Sequence, residues 1–150
     1  VAYDLLARKA WSRRDLTARL VRRGAPREVA HEVVGELEGR GYVDDPAFAR
    51  QWAEGRARRQ QFGSRRIGEE LRAKGIPQPL AEAAIRQAFS EVPEEEQALD
   101  AARRRLPVLS RRNRARLPSR LLEYLLRRGF PPETAQRVVR QLCRVEESDS

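Results

Sequence analysis

An all-α fold, built from three tandem three-helix units in a row, is what this sequence predicts. Three observations carry it. A segment of the form Leu-x-x-(Arg/Lys)-Gly-x-Pro occurs three times: Leu20 to Pro26, Leu71 to Pro77 and Leu125 to Pro131. Its glycines stand 51 and 54 residues apart, a period at which internal repeats are read as stacked supersecondary units. After each glycine the apolar residues recur at helical spacing (Ala30, Val33, Val34, Leu37; Ala81, Ala84, Ile85, Ala88; Ala135, Val138, Val139, Leu142), one stripe per helix for burial. Nowhere does a run of Val, Ile or Thr alternate as a half-buried strand would.

Within each unit the elements follow from their punctuation. The first helices are expected near residues 2–10, 46–59 and 94–106, the second opening well on Asp45-Pro46. The middle helices are expected to start at Ser12, Ser64 and Ser119, whose hydroxyls suit a helix N-cap. They end at Gly24, Gly75 and Gly129, which take a left-handed cap at little cost. A proline two residues on stops the helix and can open the next one. The units are expected at residues 1–44, 45–92 and 93–145, with a polar, frayed tail at 146–150. Ser90-Glu91-Val92-Pro93 is read as the more flexible joint. Val1 is not an initiator methionine, which leaves room for a preceding segment.

Charge points outward. The chain carries 31 Lys and Arg against 22 acids, a formal +9, and only Lys9 and Lys74 are lysines. A fold does not need that excess; it fits a polyanionic or acidic partner. The preference for Arg over Lys is ambiguous, since GC-rich genomes favour Arg codons and Arg is also the better bidentate binder of phosphate and carboxylate. No apolar run is long enough for a bilayer, so no membrane partner is expected. Cys143 is the lone cysteine, which excludes an internal disulfide and favours a cytosolic location.

Gly41-Tyr42-Val43-Asp44-Asp45-Pro46-Ala47-Phe48-Ala49-Arg50-Gln51-Trp52 resembles the signature of the RecX family. So does Gly63-Ser64-Arg65-Arg66-Ile67-Gly68-Glu69-Glu70-Leu71-Arg72-Ala73-Lys74-Gly75. The resemblance covers nearly the whole chain and is looser in the third unit. It implies three helical units in a curved, elongated molecule. It further implies binding along the groove of the RecA–single-stranded-DNA filament, inhibition of RecA ATP hydrolysis and strand exchange, and some binding to DNA itself. The signature residues have ordinary structural work available. Tyr42, Phe48 and Trp52 are expected to bury at the junction of the first two units, and Asp44 and Asp45 to cap the helix that follows. Gly41, Ala49, Gly63, Ile67, Leu71 and Gly75 are read as framework.

The binding candidates are arginines. Arg22, Arg23, Lys74, Arg127 and Arg128 lie at helix C-termini, where the dipole favours cations. Arg13, Arg14, Arg65, Arg66 and Arg120 lie in first turns, where a cation opposes the dipole at about 0.3–1 kcal/mol each. Those ends are therefore read as repeated anion-docking points, with free N–H groups and guanidinium groups converging on phosphate or carboxylate. Arg103, Arg104 and Arg105, with Arg111, Arg112, Arg114 and Arg116, form the densest basic stretch. The latter four are placed on an irregular connection between Pro107 and Pro118 that could follow a sugar–phosphate backbone or simply be solvated. Arg56, Arg58 and Arg59 are weighed equally, with Phe62 better suited to a core than to stacking on a base.

An enzyme is not expected. There is no phosphate-binding loop and no dinucleotide fingerprint. His31 and Cys143 cannot by themselves make a zinc site or, without a tertiary coincidence, a dyad. No cofactor is implied. The competing reading is a stand-alone helix–turn–helix DNA-binding transcription regulator. Such proteins commonly dimerise to match two half-sites, whereas no dimer seam is evident and a monomer is expected.

Overall fold

A computed structural model describes residues 1–111 and 113–148, of which 145–148 are described by backbone alone. Among them every regular element is helical: α1 (Ala2–Arg8), α2 (Arg13–Arg22), α3 (Arg27–Gly39), α4 (Asp45–Arg58), α5 (Ser64–Ala73), α6 (Gln78–Ala88), α7 (Glu94–Ser110), a 3-10 turn (Arg114–Arg116), α8 (Leu117–Arg127) and α9 (Pro132–Ser148). Each successive triplet closes around its own small core. Leu5, Leu16, Leu20, Ala30, Val34, Leu37 and Val43 form the first. The second gathers Phe48, Ala49, Ala53, Ala57, Phe62, Ile67, Leu71 and Ile76 with the alanines of α6, and the third gathers Ala98, Ala101, Ala102, Leu121, Leu125, Phe130, Ala135, Val138, Val139 and Leu142. Extensive helix packing is confined to the triplets: α2 on α3, α4 on α6, α7 on α8 and α9. The accessible surface of 9721 Å² for 17.3 kDa exceeds the about 7,800 Å² expected of a compact monomer. A row of small cores, rather than one large one, accounts for it.

The middle helices show why the repeat is built as it is. Gly24, Gly75 and Gly129 take φ of +106°, +79° and +94°, and the residue after each donates its N–H to a carbonyl five positions back, on Leu20, Leu71 and Leu125. That bond satisfies an orphan carbonyl of the last turn. The following prolines then set the entry to α3, α6 and α9: Ala30, Ala81 and Ala135 donate to the carbonyls of Pro26, Pro77 and Pro131.

Several expected boundaries move. Only Ser12 is an N-cap, accepting from the Asp15 N–H at 3.2 Å. In α5 the cap residue is Gly63 and Ser64 is already helical; in α8 the cap residue is Arg116. Measured back from Leu16, Ile67 and Leu121, the serines lie four, three and two residues upstream, so they could never share one structural position. α7 continues through Pro107 to Ser110, leaving a shorter connection than the two prolines implied. Pro107 is exposed there, so the Arg103 carbonyl that loses its donor can face water. α9 reaches Ser148, carrying helix into the expected tail. Residues 87–90 close as a turn, with the Ser90 N–H and hydroxyl both donating to the Gln87 carbonyl, and residues 90–92 follow as a bend.

Two signature residues also differ from expectation. Tyr42 is 56% exposed, its ring set edge-on to that of Tyr3 at 5.6 Å, and it follows the Gly41 turn and is not part of the second core. Asp44 caps α4 through the Ala47 N–H at 3.0 Å. Asp45 instead turns back to the first unit, as described next.

Candidate functional site

The functional geometry begins where one unit meets the next. The N-termini of the first two middle helices each face the C-terminal turn of the middle helix that follows. Between α2 and α5, the Ser12 hydroxyl donates to the Lys74 carbonyl at 2.7 Å, and Lys74 reaches Asp15 at 3.8 Å. Between α5 and α8, Gly63 N–H donates to the Arg128 carbonyl at 2.8 Å and Arg65 N–H to the Gly129 carbonyl at 3.0 Å. At the second joint orphan donors of one helix thus meet orphan acceptors of the next, while at the first a side-chain hydroxyl reaches such an acceptor. This resolves the cations in the first turns. Arg14 lies against Gly75 and Arg66 against Gly129, beside the negative end of the neighbouring helix dipole, which favours them.

Each joint is closed by a carboxylate. Asp45, the first residue of α4, accepts the Arg13 N–H at 2.9 Å. Glu94, the first residue of α7, accepts the Ser64 N–H at 2.6 Å and its hydroxyl at 3.0 Å. Arg13 and Ser64 hold equivalent positions in the repeat. Of the N–H groups read from the sequence as free for an external anion, those of Arg13 and Ser64 are therefore occupied by the chain's own acids and that of Arg65 by the Gly129 carbonyl. The equivalent residue of the third unit is Pro118, which has no N–H to satisfy.

The arginines sort into engaged and unengaged. Arg56 forms a two-pronged pair with Glu70, which also accepts from the Trp52 indole at 3.2 Å. Arg56, Arg66 and Arg128 lie over the Phe62 ring at 4.4, 3.7 and 4.4 Å, and Arg128 also donates to the Gln60 carbonyl. Phe62 is 6% exposed and belongs to the second core. Arg58 pairs with Glu91 and Glu54, Arg13 with Glu38, and Arg104 with Asp100. Arg105 lies over Tyr124. Arg120 is half-buried, with its Nη1 lacking a partner among the described residues.

Arg59, Arg65, Arg103, Arg111, Arg114 and Arg116 are exposed, and their side chains have no hydrogen bond or ion pair among the described residues. Arg103, Arg111, Arg114 and Arg116 follow one another along the end of α7 and the 3-10 turn, which Asn113 caps through the Ala115 N–H at 3.0 Å. Arg112 lies outside the described residues. Arg65, Arg66 and Arg127 line a cavity of about 550 Å³ at the second joint. Arg13 and Arg14 line one of about 820 Å³ at the first, together with Arg22, Arg27 and His31. Sequence reasoning assigned Arg22 to its helix dipole and passed over Arg27; only the approach of the second unit makes them neighbours across a groove. His31 lies on α3 while Cys143 packs against the third core, so they make no dyad. Among the described residues no group of His, Cys, Asp and Glu is arranged to hold a metal, and no helix is long and apolar enough to cross a membrane.

Comparison with known proteins covers the same ground. The second three-helix domain of RecX matches residues 44–85 and the third matches residues 93–139. The regulatory protein RecX of Streptomyces coelicolor is 36% identical over all of this chain and 79% of that protein. That of Thermus thermophilus is 37% identical over 87% of this chain and 81% of that protein. The crystal structure of RecX from Lactobacillus salivarius superposes with a TM-score of 0.81, over 94% of this chain and 91% of that one, at 17% identity.

Proposed function

We propose, from the premise that this chain belongs to the RecX family of regulatory proteins, that it binds RecA and its single-stranded-DNA filament and inhibits RecA ATP hydrolysis and strand exchange. The observation that carries this reading is identity of 36% and 37% to proteins named regulatory protein RecX, across most or all of the chain. The mechanism we assign is occlusion. Residues 1–44, 45–92 and 93–145 act as three linked binding units, a monomer lying along the filament groove and bridging neighbouring subunits in the cytoplasm. Linking makes the second and third binding events effectively intramolecular, so each can be weak alone.

Arginines without an internal partner support a division of labour. Arg103, Arg111, Arg114 and Arg116 are assigned to DNA phosphate, which needs exposed guanidinium groups rather than a fixed pocket; Arg105, which lies over Tyr124, and Arg112 are assigned with them as their neighbours in the sequence. Arg59 and Arg65 are assigned to the same polyanionic surface or to RecA carboxylates. Arg56 and Arg66, committed to Glu70 and Phe62, contribute chiefly through the frame, and Arg58, Arg104 and Arg120 come second to the unengaged set.

The test is RecA's single-stranded-DNA-dependent ATP hydrolysis, titrated with this protein on preformed filaments and, separately, on DNA pre-coated with it. Inhibition at substoichiometric amounts on preformed filaments is expected. Tight binding to naked DNA with no effect on filaments would instead leave a stand-alone helix–turn–helix DNA-binding protein. Changing Arg111, Arg114 and Arg116 together to Ala should flatten the salt dependence of DNA binding, the logarithmic slope falling by roughly 0.7–0.9 for each phosphate that is no longer neutralised.

A further inference from the structure

The groove at the first joint has a chemistry that the joint itself does not use. It encloses about 820 Å³ between α2 and α3 of the first unit and the start of α4 and the α5–α6 turn of the second. Its floor is aliphatic, made by Ala18 and Val21 of α2 with Pro46, Pro77 and Leu80 from the second unit. Its rim is basic: Arg13, Arg14, Arg22 and Arg27. Arg13 is engaged by Glu38 at 3.5 Å. The other three guanidinium groups have no hydrogen bond or ion pair among the described residues. Three guanidinium groups without a carboxylate partner around one apolar floor suit a ligand that brings carboxylates and an aliphatic side chain together.

We propose that this groove docks an acidic, leucine-bearing peptide segment of a partner protein. Its carboxylates meet Arg14, Arg22 and Arg27, while its aliphatic side chain covers Ala18, Val21 and Leu80. Charge complementarity selects the sign of the occupant, and the floor selects its class. No Phe, Tyr or Trp lines the groove and His31 is the one aromatic ring in its lining, so successive bases would lack the row of stacking surfaces on which single-stranded nucleic-acid sites rely. Glu38 and Asp45 also stand in the lining. A continuous phosphodiester would pass both carboxylates, whereas a peptide can set its acids beside the arginines and its apolar residue elsewhere. The docking site stands apart from the filament reading, since it requires neither DNA nor an assembled recombinase.

The experiment is fluorescence anisotropy on the full chain with a labelled peptide in which leucines alternate with glutamates. Wild-type protein is expected to bind it, and a serine-for-leucine version should bind about tenfold more weakly. Two variants on exposed positions probe floor and rim: Ala18→Trp fills the groove, and Arg22→Glu with Arg27→Glu reverses two cations. Each should weaken binding by about tenfold or more, with helical circular dichroism unchanged. No binding to wild type, equal affinity of both peptides, or unchanged affinity in both variants would overturn the proposal. So would a single-stranded oligonucleotide that displaces the peptide and itself loses affinity in Ala18→Trp, since nucleic acid would then be the occupant. Because the assay contains no RecA, its failure and a failure to inhibit ATP hydrolysis are separate results.

Discussion

The two joints of the array solve one problem with different materials. At the first, side chains do the bridging: the Ser12 hydroxyl, the Asp45 carboxylate, and Lys74 with Asp15. At the second, backbone meets backbone, Gly63 and Arg65 donating directly to the carbonyls of Arg128 and Gly129. One position decides between them, occupied by Ser12 in the first unit and by Gly63 in the second. A Cβ on Gly63 would come within 2.4 Å of the Gly129 carbonyl and the Phe130 nitrogen, so only glycine permits that approach. The looser joint leaves a wider groove, about 820 Å³ against about 550 Å³. Closeness of packing and openness of surface are thus traded between neighbouring joints of a single repeat.

The comparison can be broken hardest at Gly63. Gly63→Val should cost about 3 kcal/mol, because the obstacle is backbone and cannot swing aside. Thermal unfolding would give the loss, and amide exchange at Gly63 and Arg65 would show whether the second joint opens before the cores. Gly75→Ala is the milder counterpart at the first joint. Its left-handed backbone costs about 1–2 kcal/mol, and the new Cβ would meet Arg14 side-chain carbons at 2.4–3.0 Å, which can move. A loss in urea unfolding as large as that of Gly63→Val would mean the first joint is no looser than the second. Smaller still are the closing carboxylates. Glu94→Ala removes two hydrogen bonds and Asp45→Ala removes one, so losses of about 1.5 and about 0.5–1 kcal/mol are expected. Reversed order in parallel melts would contradict the assignment of Glu94 as the stronger clasp. Ser12→Ala should cost about 1 kcal/mol and leave the second joint untouched by amide exchange.

Much of the frame was legible because it depends on local rules. Gly24, Gly75 and Gly129 punctuate the middle helices as a left-handed cap requires, and the stripes after them supply the buried residues of α3, α6 and α9. Asp44 reads correctly as a cap because its partner, the Ala47 N–H, lies three residues away. Ser64 and Ser119 read wrongly as caps because their type was right and their register was not; counting from Ile67 and Leu121 would have shown it. The paradox of Arg14 and Arg66 had no local answer. Each is misplaced with respect to its own helix dipole and well placed with respect to the next unit's, a relation that only long-range packing creates. Asp45 and Glu94 are the same case, since a carboxylate opening one helix caps another that begins 32 or 30 residues upstream. Tyr42 belongs here too, because its aromatic character promised burial that the Gly41 turn withholds.

Composition, punctuation and periodicity by themselves determined an all-helical, three-unit, strongly basic chain, because helix stops and apolar stripes act over a turn or two of backbone. Tertiary structure alone decided which arginines are engaged inside the fold and which remain exposed to a partner. It also decided how the first joint leaves a basic, apolar-floored groove between Arg22 and Leu80. Those properties depend on the distance between groups far apart in the chain, and an ion pair or a groove exists only once that distance is set.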